Sequence, residues 1–346
     1  MSSSTSSSEA VAGPAGTGPS SQARWAGFVR AFAVTAAAAL LGTLALAWLI
    51  DPYDTGNTPL SLREGVRPQG PRTAAASRGR DPAFRAAIFG NSHIQLLSPE
   101  RLRAETGIAF VSLIAPATGP KESLVLIDWF LRHRREPAQA VLVGIDDLWC
   151  TADPALPNAK PFPFWLYSRD RAEYLVGLLR FDVLEEFQRR VVYLLTGRGE
   201  RARPDGYWDY EENYLGMGYD RDPRKRAELE RPAPIGGGNG SGPYPAVQAL
   251  EALMASVPAT PLVLLRPPVY RSALPQPGTP AEAADAGCRA AFAALAARRP
   301  LTTLIDWRRD RPQLHDPNQF FDRTHYRQPL ARLVEGEIAA ALKAMR

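Results

Sequence analysis

The sequence predicts an α/β fold, a parallel sheet covered by helices on both faces, carried behind one transmembrane helix. Three observations predict it. Short apolar runs (Ala86–Phe89, Ala140–Ile145 and Pro261–Leu265) alternate with amphipathic stretches of helical length, the pattern of a buried parallel sheet. An uncharged run, Ala31–Ile50, spans ~30 Å as a helix, the thickness of a hydrocarbon core. The chain has 346 residues, 45% of them apolar, which suffices for one large domain after the span is set aside.

Residues 1–24 read as a disordered cytoplasmic tail. Met1–Gln22 is almost wholly Ser, Gly, Ala, Thr and Pro, and such a segment cannot bury enough to offset its ordering entropy. Residues 25–50 read as the anchor, with Trp25 and Trp48 near its ends at interfacial positions. Arg24 and Arg30 lie on one side of the uncharged run and Asp51 and Asp54 on the other, so the positive-inside bias places everything after residue 50 outside the cytoplasm. Ala45-Leu46-Ala47 resembles a signal-peptide cleavage site, but Trp48-Leu49-Ile50 continues the apolar run beyond it, favouring an uncleaved anchor. Residues 51–80, rich in Pro, Gly, Arg and Thr without periodicity, read as a linker or an irregular wrap.

Residues 81–346 form the expected domain. Ala86–Phe89 is the first strand. Ser98-Pro99 is an N-cap followed by proline at the first helical position, and Gly107 closes that helix. Ala109–Ile114 is the second strand. Glu122–His133 has helical apolar spacing, acid in its first turn and base at its end. Ala140–Ile145 is the third strand. The stretch 153–245 breaks the rhythm and reads as an insertion, a lid or substrate wall. It holds a helical section around Tyr174–Leu195, an aromatic run from Tyr207 to Tyr219 and a Gly-rich loop from Gly236 to Gly242. A helix over Val247–Val257, the strand Pro261–Leu265, a helix over Ala281–Arg298, the strand Thr302–Asp306 and a last helix from Pro329 complete the order.

The net charge of +5 comes mostly from scattered arginines, and no basic stripe interleaved with aromatics marks a nucleic-acid groove. Cys150 and Cys288 have no metal-ligand spacing, and whether they meet is open.

Two short motifs carry the chemistry. Gly90-Asn91-Ser92-His93 follows a strand, and its glycine permits the sharp exit that exposes a serine at the sheet's C-terminal edge. Asp322-Arg323-Thr324-His325 precedes the last helix. A carboxylate three residues before a histidine can fold back to fix its tautomer, which makes the imidazole a base for a serine nucleophile. His93 is expected to point away from Ser92. A metal set of His315, Asp316, Asp322 and His325 matches no standard spacing, and neither metal nor cofactor is predicted.

With Gly144-Ile145-Asp146-Asp147 between them, these segments resemble the blocks of the SGNH/GDSL hydrolase superfamily. The likeness covers roughly residues 84–148 and 300–346. The anchor followed by Asp51-Pro52-Tyr53 resembles envelope proteins related to the alginate O-acetylation machinery. The resemblance implies a three-layer α/β/α sandwich in a bacterial inner-membrane protein facing the periplasm. It implies acyl-ester chemistry on envelope glycans or lipids; a single-span anchor would suit an acyl-transporting membrane partner. Ser92 would be nucleophile, His325 general base and Asp322 the orienting carboxylate. Gly119, in a chain without a clean equivalent of the family's glycine block, is the nearest candidate for a backbone N–H, and Asp146 falls where the family places an oxyanion donor. Asp146 departs from the asparagine found there, because an ionised carboxylate donates no hydrogen bond. A non-catalytic glycan-binding or scaffold protein is the alternative.

Overall fold

The computed structural model describes residues 21–65, 70–158, 160–198, 203–233 and 239–346. Most of the expected tail (residues 1–20) and Gly236–Gly238 of the Gly-rich loop lie outside the described residues. The chain divides into two units, Met1–Leu46 and Ala47–Arg346. The first helix, α1 (Ser21–Ile50), contains a stretch, Gln22–Ile50, that is long and apolar enough to cross a membrane.

The second unit is an α/β fold. After α2 (Pro71–Arg80) come β1 (Ala86–Phe89), α3 (Pro99–Thr106), β2 (Phe110–Ser112), α4 (Pro120–Arg132) and β3 (Ala140–Gly144). The insertion supplies α5 (Arg171–Gly177), α6 (Phe181–Thr196), α7 (Glu211–Gly216) and α8 (Pro223–Glu230). Then follow α9 (Pro245–Ala255), β4 (Leu262–Arg266), α10 (Pro280–Arg298), β5 (Thr302–Asp306) and α11 (Gln328–Ala344). The five strands are all parallel, in the order β2-β1-β3-β4-β5. The chain therefore reverses its winding at β1, and a crevice opens beyond the C-terminal ends of β1 and β3.

Both sheet faces are covered, so β1, β3 and β4 are buried at every position, and apolar throughout save for Arg266 at the end of β4. Ala86, Ile88, Leu142 and Val263 share one core with Leu102 of α3 and with Val334 and Ile338 of α11. On the opposite face, Phe89 meets Phe130 of α4 edge-on. Ser98 caps α3 and Gly107, with φ 74°, ends it, as its sequence predicts. The buried Glu335 of α11 accepts from Ser98 N at 2.7 Å and Arg101 Nε at 2.9 Å, tying the last helix to the start of α3.

The described residues of this stretch, 51–65 and 70–80, are not a loose linker. Asp51–Thr55 are buried, and α2 buries Ala74–Gly79, its Ala76 carbonyl accepting from the Trp129 indole N–H of α4 at 3.0 Å. Alanines at those positions let two helices approach closely, a packing signal that a search for polar linker composition misses. The helical section expected over Tyr174–Leu195 is two helices, broken between Gly177 and Phe181. Cys150 and Cys288 form a disulfide that joins the turn after β3 to α10.

Candidate active site

The site begins with two glycines at the crevice. Gly90 leaves β1 with φ 151°, and a Cβ there would lie 2.9 Å from Ile94 Cδ1; one on Gly144 would lie 2.7 Å from the same atom. Ile94 belongs to the 3₁₀ turn Ser92–Ile94, so both glycines make room for the turn that presents the serine. Asn91 caps that turn, its Oδ1 accepting from His93 N at 3.1 Å. Ser92 holds the turn's first position, where a backbone N–H has no partner within the turn.

Asp322 and His325 sit in a tight loop before α11. Phe320 bridges Tyr326 as an antiparallel pair, and Phe321 N donates to His325 O at 2.9 Å. The Asp322 carboxylate accepts from Thr324 N and His325 N, each at 2.9 Å, and lies 2.8 Å from His325 Nδ1 through Oδ2. Burial opposes its ionisation, but the hydrogen bond and charge of His325, with the two backbone N–H groups, hold the carboxyl below its usual range. With Nδ1 engaged, Nε2 faces Ser92 Oγ at 2.9 Å. The structure thus brings together the three residues named from sequence, Ser92, His325 and Asp322, in one hydrogen-bonded chain.

Asp146 and Gly119 stand differently. Asp146 is buried; its Oδ1 accepts from Leu148 N at 3.0 Å and its Oδ2 from Asn91 Nδ2, which also donates to Thr118 O at 3.0 Å. The carboxylate thereby holds the cap of the Ser92 turn, its oxygens engaged within the chain. Gly119 caps α4, and its N–H donates to Glu122 Oε2 at 3.0 Å. That donor is already engaged, so the expected backbone contribution from Gly119 is corrected. The glutamate three residues on is the visible signal of a capping box.

Several neighbours escape sequence reasoning. His93, expected to point away, packs its ring edge-on to His325 at 5.3 Å, with Nδ1 3.6 Å from Asp146 Oδ2. Tyr210 and Tyr214 from the insertion pack on His325 at 5.7 and 5.6 Å between ring centres, and Tyr210 Oη donates to Tyr326 O at 3.0 Å. Arg323 reaches back to the carbonyls of Glu228 and Arg231 at the end of α8. The insertion is therefore the wall that clamps the Asp-x-x-His loop. The aromatic run was legible as a feature, but nothing local says which loop it covers. His315 pairs with Asp310, apart from the triad, and no cluster of metal-ligating side chains occurs among the described residues.

Burial, reinforced by the charges of His325 and Arg308, pushes the His93 imidazole down to about 4. Burial and the Asp147 charge push Asp146 up to about 6, against the Asn91 hydrogen bond. The consequences for stability have opposite signs. Unfolded His93 would take a proton near 6.5 while the native one stays neutral, so its contribution is present above 6.5 and lost as pH falls toward 4. Native Asp146 takes its proton earlier than the unfolded residue, so its contribution is gained as pH falls from 6 toward 3.8. His93→Gln is therefore expected to remove an acid-linked loss of about 2 kcal/mol between pH 7 and pH 5. Urea unfolding at the two values checks it: the variant should lose less stability than the parent, and equal losses would show that His93 is not held neutral.

No protein-family model matches the chain, and no curated protein matches it.

Proposed function

We propose that this chain is a membrane-anchored serine esterase or O-acyltransferase that works outside the cytoplasm on acyl esters of the cell envelope. The observation that carries the reading is the unbroken chain Ser92 Oγ, His325 Nε2, His325 Nδ1, Asp322. In this order His325 takes the Ser92 proton as Oγ bonds to the acyl carbon, then returns it to the departing alcohol oxygen. The acyl-serine passes its acyl group to water or to a second hydroxyl, with His325 again moving the proton. Asp322 keeps the imidazole in the tautomer whose Nε2 can accept. The free N–H of Ser92 is the donor at hand for the developing oxyanion.

The resemblance of the three sequence blocks to SGNH/GDSL hydrolases supports the reaction class, and the envelope resemblance supports a glycan or lipid ester. The span before the domain supports an inner-membrane anchor with the domain in the periplasm. The Cys150–Cys288 disulfide supports an oxidising compartment. A membrane-bound partner that delivers the acyl group suits a single-span protein.

One observation favours the alternative of a non-catalytic glycan-binding or scaffold protein. Asp146 stands where a donor is expected, and the Gly119 N–H is occupied, leaving the oxyanion site with few donors. Mass spectrometry after exposure to 4-nitrophenyl acetate separates the two. The proposal expects an acyl group on the peptide carrying Ser92, and its absence from folded protein would favour the binding role.

A further inference from the structure

We infer that helix α6 lies in the membrane interface, with its outer apolar face against lipid. The inference rests on the anchor reading given above. In α6, Phe181, Leu184, Val192 and Leu195 are exposed, Phe181 at 79% and Leu195 at 80%. With Gln188 they fall within roughly 80° of arc on an ideal helix, a single stripe. Val176 and Leu179, also exposed, continue the apolar patch N-terminally. The opposite face of α6 is buried through Val183, Glu186, Arg190 and Tyr193. A soluble helix turns its apolar stripe inward; α6 buries Glu186 and Arg190 on its inner face and leaves an apolar stripe outside, which is unusual for a surface in water.

What stands against that outer face is indicated by where the inner face is fastened. Arg190, with a side chain 1% exposed, reaches Ile50 O at 3.5 Å and Asp54 Oδ1 at 3.3 Å. Tyr193 Oη donates to Glu64 O at 2.9 Å. Ile50 is the last residue of the membrane-spanning stretch, and it belongs to the same unit as α6. The outer stripe is thus about one helix diameter, ~10 Å, from the point where the chain leaves the hydrocarbon. Trp48, half-exposed two residues earlier, is a residue type that settles at the same depth. An amphipathic helix with aromatic and leucine residues on its outer face, fixed at that level, matches an interfacial helix. Arg171, Arg180, Arg189 and Arg198 are nearly balanced by Glu173, Asp182 and Glu185, so apolar burial and not lipid charge carries the contact.

The consequence for the proposed enzyme is a second attachment. A single span leaves a domain free to swing, whereas a span plus an interfacial helix fixes which face of the domain meets the bilayer.

The test uses the full chain in vesicles of phosphatidylcholine and phosphatidylglycerol. Both native cysteines are joined in the disulfide, so one added thiol can be labelled selectively. Phe181→Cys, Leu195→Cys and, as a control in the exposed loop after β5, Arg309→Cys each receive an environment-sensitive fluorophore. The inference expects blue-shifted emission at 181 and 195, quenched severalfold by lipids carrying a nitroxide high on the acyl chain. The control should remain unquenched, and the quenching should persist in high salt and without phosphatidylglycerol. Vesicle-bound chain without quenching at 181 and 195 would overturn the inference and leave the anchor intact. Blue-shifted but unquenched labels would show a protein surface, a second copy of the chain, covering the face instead. Chain that fails to float with vesicles would overturn anchor and interfacial helix together.

Discussion

His325→Ala is expected to lower kcat on an activated acyl ester by roughly 10⁴-fold, with little change in KM, and Ser92→Ala to lower it at least as far. The size follows from the geometry. Ser92 Oγ is a weak nucleophile until its proton has somewhere to go, and His325 Nε2 at 2.9 Å is the acceptor the site offers. Removing the imidazole also leaves Asp322 without the partner that holds its charge, so the loop should loosen as well. Asp322→Asn separates these effects. It keeps the shape but no longer dictates the tautomer, and a loss of about 10⁴-fold is expected there too, as with the corresponding carboxylate of a well-studied protease. Steady-state kinetics on one ester, with circular dichroism to confirm folding, checks all three. Turnover in His325→Ala within tenfold of the parent would remove His325 from the chemistry.

Reduction of the Cys150–Cys288 bond is expected to destabilise the domain by about 2–5 kcal/mol. The two residues are 138 apart in sequence, and opening so long a loop returns ~5 kcal/mol of chain entropy to the unfolded state. Against a total stability of about 5–15 kcal/mol for a typical domain, that is a large share. A local effect accompanies it. Cys150 ends the 3₁₀ turn that Asp146 caps, and Asp146 steadies Asn91, which caps the Ser92 turn. Activity should therefore fall under reductant before the fold melts. Denaturant unfolding and ester turnover, each with and without reductant and compared with Cys150→Ser, give both readings. An unchanged unfolding midpoint would contradict the stabilising role.

Much of the fold was legible because it is written locally. Ser98, Pro99 and Gly107 bound α3 through backbone hydrogen bonding alone, and the apolar runs of β1, β3 and β4 announce strands buried on both faces. The triad was legible for a similar reason, since Asp322 and His325 interact within one turn and Ser92 follows a strand whose end faces the crevice. What was hidden depends on contacts between distant segments. His93 packs on His325 because the 3₁₀ turn rotates it there, and the residue order Ser-His does not encode that rotation. Tyr210 and Tyr214 find His325 only after the insertion folds back. Asp146 was placed by family position and Gly119 as the nearest glycine, and their hydrogen-bonding capacity is taken up by Glu122, Leu148 and Asn91. Residues 51–80 look like a linker in composition, yet small side chains there serve close packing.

The most direct measurement of the central claim is covalent labelling of the full chain by a fluorophosphonate, beside its Ser92→Ala variant. Labelling of the parent that disappears in the variant is the predicted result, because only a serine whose proton is being withdrawn attacks phosphorus at a useful rate. Folded, monodisperse parent that takes no label would contradict the account, and would make the Asp146 carboxylate beneath the nucleophile turn the mark of a binding protein.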